Sequence, residues 1–541
     1  MEPIIQLIAA IGGTLGLSVL FGLYMARMIS YESRPIERTL AKVESGFYRL
    51  IGIDATKGMT WKRYFIAILV TDVSAGVILF LILTFQNYLP TATPGIAGLA
   101  PDLAFHTAVS FMTNTDLQHY NGDQQLTVFS QMVGLTFLMF IAPATAISSG
   151  FAFIRAFIRR NFGLGNFYVD MIRVTVTLLL PVSFISSLIL IYAGVPQTLQ
   201  PSLSFNDLEG KPQTITMGPV GSLESIKELG HNGGGYFGAN SAHPFENPNG
   251  LTNVYEIMLI LVIPLAFPIA YGKLVGWGRG ISILITMLIG FGLMLGIAFY
   301  QPSGPTGLDT RFGNFGSVLF NVASVATNTG AVASALTGMS PAAVTSLFLG
   351  MFVQAIPGAA GVGMMTMMMY VILSLFIVGL MVGKTPEFMS MKISSKDVKL
   401  AVFIFLLHPA LILIPTALAF TTGNAQAVTS SPNNKVSAIA YTEVLYEFTS
   451  SAANNGSDYL GTSANTLFFN WSTGLVMFIG RFAPLGLMMA LAGSFTTKER
   501  KEAPEPIKTQ GPLFITVLLI MTFLLTALTF FPFIVIGPFS L

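Results

Sequence analysis

The sequence predicts an all-α integral membrane protein. Its plan is ten transmembrane helices: four pseudo-symmetric span–pore-helix–span repeats, plus one extra span at each end. Three observations carry this. Of the 541 residues 53% are hydrophobic and only 10% charged, where soluble proteins carry about 25% charged residues. Ten apolar runs are long enough to cross a bilayer, which takes about 20 residues. The basic residues sit in alternate connections, and the polar stretches between the other spans share one pattern.

The runs are 3–28, 64–88, 126–150, 170–194, 252–270, 278–301, 341–383, 398–421, 467–493 and 513–540. The first carries Glu2 and no basic residue ahead of its apolar core, unlike a secretory signal. Connections 27–63, 151–173, 271–280, 384–400 and 494–509 hold all but five of the 27 Lys and Arg. By the positive-inside rule these connections face the cytoplasm, and ten spans then leave both termini outside. Cysteine is absent, which excludes disulfides and thiol chemistry.

Four outer connections have the same grammar. They read "AFHTAVSFMTNTDLQ" (104–118), "SLESIKELGHNGGGYF" (222–237), "SVLFNVASVATNTGA" (317–331) and "YTEVLYEFTSSAANNGSDY" (441–459). In each, a short helical stretch runs into Asn with Thr, Gly or Ser, and then the next span begins. This divides the chain into 1–63 (extra span and basic loop), 64–150, 151–270, 271–383 and 384–493 (the repeats) and 494–541 (last extra span). A single Asn-Gly stretch reads most simply as a surface turn. Four in corresponding places, each behind a short helix, argue for re-entrant loops. Irregular backbone at membrane depth has to line a watery cavity or be buried in protein. Four such loops around one axis offer rings of carbonyls that can replace the hydration shell of a potassium ion. A half-helix ending at the loop turns its negative end toward a cation there.

Three further features bear on the interior of the protein. Arg481 lies about 14 residues, or about 21 Å of helix, into its span, too deep to snorkel easily. It should face an interior cavity, the alternative being a structural pair with a carbonyl or with Asp72. The run 341–383 is too long for one straight crossing and contains Pro357, Gly358, Gly361 and Gly363. These break the helix, either as a gate below the loops or as a kink that serves packing. His243 and Glu246 lack a third ligand, so they read as anchors of the second loop rather than a metal site.

At "NGGGYFGANSAHPFENP" (232–248), "TNTDLQ" (113–118), "GKTPE" (383–387) and "IGRFAPL" (479–485) the chain resembles the KdpA family. These are the potassium-binding subunits of bacterial Kdp potassium-transporting P-type ATPases. The resemblance covers essentially the whole chain. It implies a plasma-membrane protein of the potassium-transporter superfamily that takes K+ from outside into a selectivity filter. The ion then passes through an intramembrane tunnel to a P-type ATPase catalytic subunit. A single-span accessory subunit and a very small accessory membrane subunit complete the implied complex, with membrane lipid around it and no nucleic acid. Carried over by position, the filter is Asn114, Thr115 and Asp116; Asn232, Gly233 and Gly234; Asn328, Thr329 and Gly330; and Asn454, Asn455 and Gly456. Gln118 stands at the filter edge, and Arg481 in the pore cavity. No phosphate loop or phosphorylation motif is present, so the chain is expected to have no catalytic or ATP site of its own. The alternative is a stand-alone Trk/Ktr-type potassium channel or symporter.

Overall fold

The structure, a computed structural model, describes residues 2–540 apart from 33–36, 92–94, 159–162, 302–309, 430–436 and 501–506. Among the described residues, ten helices are long and apolar enough to cross a membrane. They are Pro3–Ser30, Trp61–Thr84, Ser130–Arg155, Phe167–Tyr192, Gly250–Val275, Trp277–Ala298, Val362–Met381, Ser395–Thr421, Leu467–Thr496 and Pro512–Ile536. Side-chain oxygens mark several starts. Thr60, Ser340, Ser437 and Thr466 each accept the backbone N–H three residues on, and Asn249 with Thr252 forms a capping box. Such caps satisfy amides that the first turn leaves without a partner.

Between the two spans of each unit lies a short helix: Pro101–Met112, Val220–Leu229, Gly313–Ala326 or Ala438–Ala453. The second spans form the interior. In Ser130–Arg155 and Gly250–Val275, 83% of the apolar window is buried, and in Val362–Met381 72%. The first spans and the two extra helices show between 22% and 44%, so their apolar faces are left for lipid. That gradient explains why runs of similar hydropathy play different parts.

The seventh run is broken, as its prolines and glycines require. Helix Pro341–Val353 stops at Gln354, which has φ 54°, and the chain resumes as Val362–Met381. Gly358 and Gly361 sit between them with φ 76° and 80°, a region only glycine enters freely. On the basic-loop side, Arg155 grips Asp170 through two bonds of 2.6 and 2.7 Å, and the hydroxyls of Tyr31 and Tyr64 donate to the same carboxylate. One buried ion pair thereby ties the first extra span to the first and second repeats. Two small hairpins depart from the purely helical expectation. One pairs Ser202–Asn206 with Pro212–Thr216, and the other pairs Glu387–Phe388 with Met391–Lys392.

Candidate functional site

Each of the four short helices ends in the same turn. Asn114, His231, Asn328 and Asn454 take left-handed φ of 59°, 58°, 52° and 53°. The next residue's N–H reaches back five positions, Thr115 to Ser110, Asn232 to Lys227, Thr329 to Ser324 and Asn455 to Ser450, at 2.8 to 2.9 Å. This is the glycine-type helix stop with Asn or His in the left-handed seat. A second left-handed residue follows two places on: Asp116 (56°), Gly233 (90°), Gly330 (84°) and Gly456 (99°). The two Thr-Asn-Thr segments also share a hydroxyl pair, Thr113 to Thr115 and Thr327 to Thr329, each at 2.8 Å.

The turns close into a ring. A Cβ on Gly233 would collide with the Thr329 carbonyl, one on Gly330 with the Asn455 carbonyl, and one on Gly456 with the Thr115 carbonyl. Gly234 lies against the Asp116 carbonyl. Amides lace neighbours together: Asn114 Nδ2 donates to the His231 carbonyl (2.6 Å), Asn454 Nδ2 to Thr115 Oγ1 (2.9 Å) and Asn455 Nδ2 to the Val325 carbonyl (3.0 Å). Gln118 clasps loops one and two, accepting the Gly235 N–H (2.9 Å) and donating to the Gly235 carbonyl (3.1 Å). Among the described residues, buried side-chain oxygens of Asn114, Asp116, Asn232 and Asn328 have no hydrogen-bond partner. All are acceptors, so the ring suits a cation and repels an anion.

The repeated geometry centres loop two on His231, Asn232 and Gly233. The positional carry-over begins one residue later, with Asn232. Gly234 then occupies the place of Leu117, Ala331 and Ser457 in the other loops.

Below the ring lies a cavity of about 70 Å3, lined by Asn114, Asn328, Asn454, Gln354, His408 and Arg481 among others. That is room for several waters. Arg481 is buried, its Nη2 donates to the Ala142 carbonyl at 3.1 Å, and its Nε has no hydrogen-bond partner among the described residues. Asp72 makes no ion pair with it among the described residues. The broken segment forms part of the surroundings. The Gly358 N–H donates to the Ala326 carbonyl (3.0 Å), the Ala360 N–H to His231 Nδ1 (3.2 Å), and Gln354 Nε2 lies 2.9 Å from His408 Nδ1. Pro357 and Gly363 flank these contacts, and a Cβ at Gly363 would meet the Gly358 backbone. Sequence reasoning missed His231, Gln354 and His408. Aligning the loops on helix ends rather than on asparagines would have found the first.

Along residues 8–540 the chain matches the family model described as KdpA, potassium-transporting ATPase A subunit. The chain belongs to the KdpA family. Among similar KdpA proteins is the potassium-transporting ATPase potassium-binding subunit of Geobacillus kaustophilus, 40% identical over 528 residues, covering 94% of this chain and 93% of that protein. The protein of the same description from Caldanaerobacter subterraneus subsp. tengcongensis is 38% identical over 538 residues, covering 96% and 95%. Among solved structures, the potassium transporter TrkH from Vibrio parahaemolyticus superposes with a TM-score of 0.52 at 14% identity, covering 92% of this chain and 100% of that one. This likeness is one of fold.

The long KdpA-like segment 232–248 does structural work behind loop two. Glu246 Oε1 accepts the Phe237 N–H at 2.8 Å, and the His243 ring stacks on Phe237 at 3.7 Å. The pair holds the loop's return to the next span.

Proposed function

We propose that the four loops are a selectivity filter for extracellular potassium and that this chain is the ion-binding subunit of an ATP-driven importer. The observation that supports this most strongly is the fourfold turn, two left-handed residues spaced by one, whose carbonyls abut the neighbouring loop around a closed ring. Alternating handedness turns successive carbonyls to one side, and four such strands can replace the hydration shell of a large monovalent ion. The negative ends of four short helices meet there. The ion leaves the filter into the cavity beside Arg481. A fixed positive charge at that depth disfavours two ions in the cavity at once. The segment 354–361 touches loops two and three and serves as the gate.

Named family members are subunits of potassium-transporting ATPases, and this chain is read in the same way. It hands K+ through an intramembrane tunnel to a P-type ATPase catalytic subunit, in a plasma-membrane complex with the single-span and very small accessory subunits. Both termini face outside. ATP is bound and split by the partner. The stand-alone channel reading has only the fold likeness in its support. The test is ATP-dependent uptake by the complex reconstituted in liposomes. Uptake of K+ over Na+ that stops without ATP is expected. Downhill K+ flux through this chain alone, undiminished without the catalytic subunit, would overturn the reading.

A further inference from the structure

Behind loop two, away from the filter axis, lies a cluster of charges that ion selection does not use. Glu224, Lys227 and Glu228 on the second short helix, Glu246 in the return loop and Glu256 in span Gly250–Val275 are all fully buried. Lys227 Nζ contacts Glu224 Oε2 (2.8 Å), Glu246 Oε2 (2.7 Å) and Glu228 Oε1 (3.3 Å). Ser241 Oγ donates to Glu224 Oε1 or Glu228 Oε1, at 3.0 and 3.1 Å. That accounts for the lysine and leaves four carboxylates facing one ammonium. No second basic side chain pairs with them among the described residues. Four ionised carboxylates against one ammonium would be far too costly in a buried site, so the group has to hold further positive charge, as protons or as a cation.

Glu256 is decisive. Among the described residues, no donor group reaches either of its buried oxygens or Glu228 Oε2. One oxygen from each of Glu224, Glu228 and Glu256 lies within 4.8 Å of the other two. Lys227 contacts Glu224 and Glu228 of this group, and the three acids offer only hard oxygen donors. Oxygens around a calcium-sized ion sit at about 2.3–2.6 Å from it, so opposite ligands stand about 4.6–5.2 Å apart. A divalent ion would also remove most of the excess charge, which a monovalent ion would not.

We propose that Glu224, Glu228 and Glu256 bind a divalent cation of the calcium class, one that is not transported. Its place is structural. The same lysine donates to Asn240 Oδ1 at 2.9 Å, and Asn240 in turn donates to the Gly233 carbonyl. The ion therefore sets the shape of loop two from behind. The site stands on its own geometry and does not rest on the potassium reading.

The test uses the purified complex, depleted with chelator and then titrated with radioactive Ca2+ at fixed K+, with melting temperature measured in parallel. Wild type is expected to bind one Ca2+ more per complex than Glu256→Gln or Glu228→Gln. Its melting temperature should rise by several degrees with Ca2+, and theirs should not. If Glu256→Gln fails to assemble, Glu228→Gln and the wild-type titration still decide. Equal binding in wild type and variants, or no Ca2+-dependent shift in wild type, overturns the proposal. In that case the carboxyls are sharing protons.

Discussion

Gln118 and Arg481 act one side chain at a time. Gln118 joins loops one and two through two hydrogen bonds to the Gly235 backbone. Each bond contributes about 0.5–1.5 kcal/mol, and its loss leaves buried groups unpaired. Gln118→Ala should therefore raise the K+ concentration for half-maximal ATPase stimulation of the complex by roughly tenfold or more; a K+ titration reads this directly. For Arg481, the guanidinium Nε beside the cavity has no hydrogen-bond partner among the described residues. If its charge limits cavity occupancy as proposed, Arg481→Met should produce K+ current uncoupled from ATP hydrolysis in reconstituted complex. Arg481→Lys retains charge but loses the planar fork, and its leak should fall between wild type and Met. Coupling like wild type in both variants would make Arg481 a strut of the Ala142 carbonyl.

At the level of elements, the broken span and the loop register show what the sequence makes legible. Pro357, Gly358, Gly361 and Gly363 announce the break because their backbone chemistry is local. The partners of the break, Ala326 and His231, are set by tertiary packing and leave no local signal. Gly361 shows the consequence. It combines φ 80° with a Cβ position that would collide with the Ala146 carbonyl. Gly361→Ala should destabilise the chain by about 1–3 kcal/mol and cut ATP-driven K+ uptake more than K+ affinity, as a melting curve and paired uptake titration would show. The register of the repeated turn in loop two is hidden in the sequence for a similar reason. Asparagine marks three left-handed seats, but histidine takes the fourth, so residue type alone misplaces that loop by one. The hairpin Ser202–Asn206 with Pro212–Thr216 also escaped, being a short exposed pair in a mainly apolar chain. The acids Glu224 and Glu228 fall in an outer connection of the sequence, yet they are buried behind the ring of loops.

For the whole molecule, hydropathy is enough to place ten spans, because the bilayer imposes length and polarity on each separately. Which spans form the interior emerges only when the four units pack together. The same wholeness applies to energy supply. The purified chain should neither form a phosphoenzyme nor turn over labelled ATP, and adding the catalytic subunit should restore K+-stimulated hydrolysis. The central claim is that four loops around one axis choose the ion. Gly233, Gly330 and Gly456 each leave room for a neighbouring loop's carbonyl, so one added methyl tests the ring at three separate joints. The measurement is the K+ and Rb+ dependence of ATPase activity for Gly233→Ala, Gly330→Ala and Gly456→Ala in the assembled complex. The account predicts that each variant assembles with weakened K+ affinity and a reduced preference for K+ over Rb+. Wild-type affinity and preference in all three would contradict it.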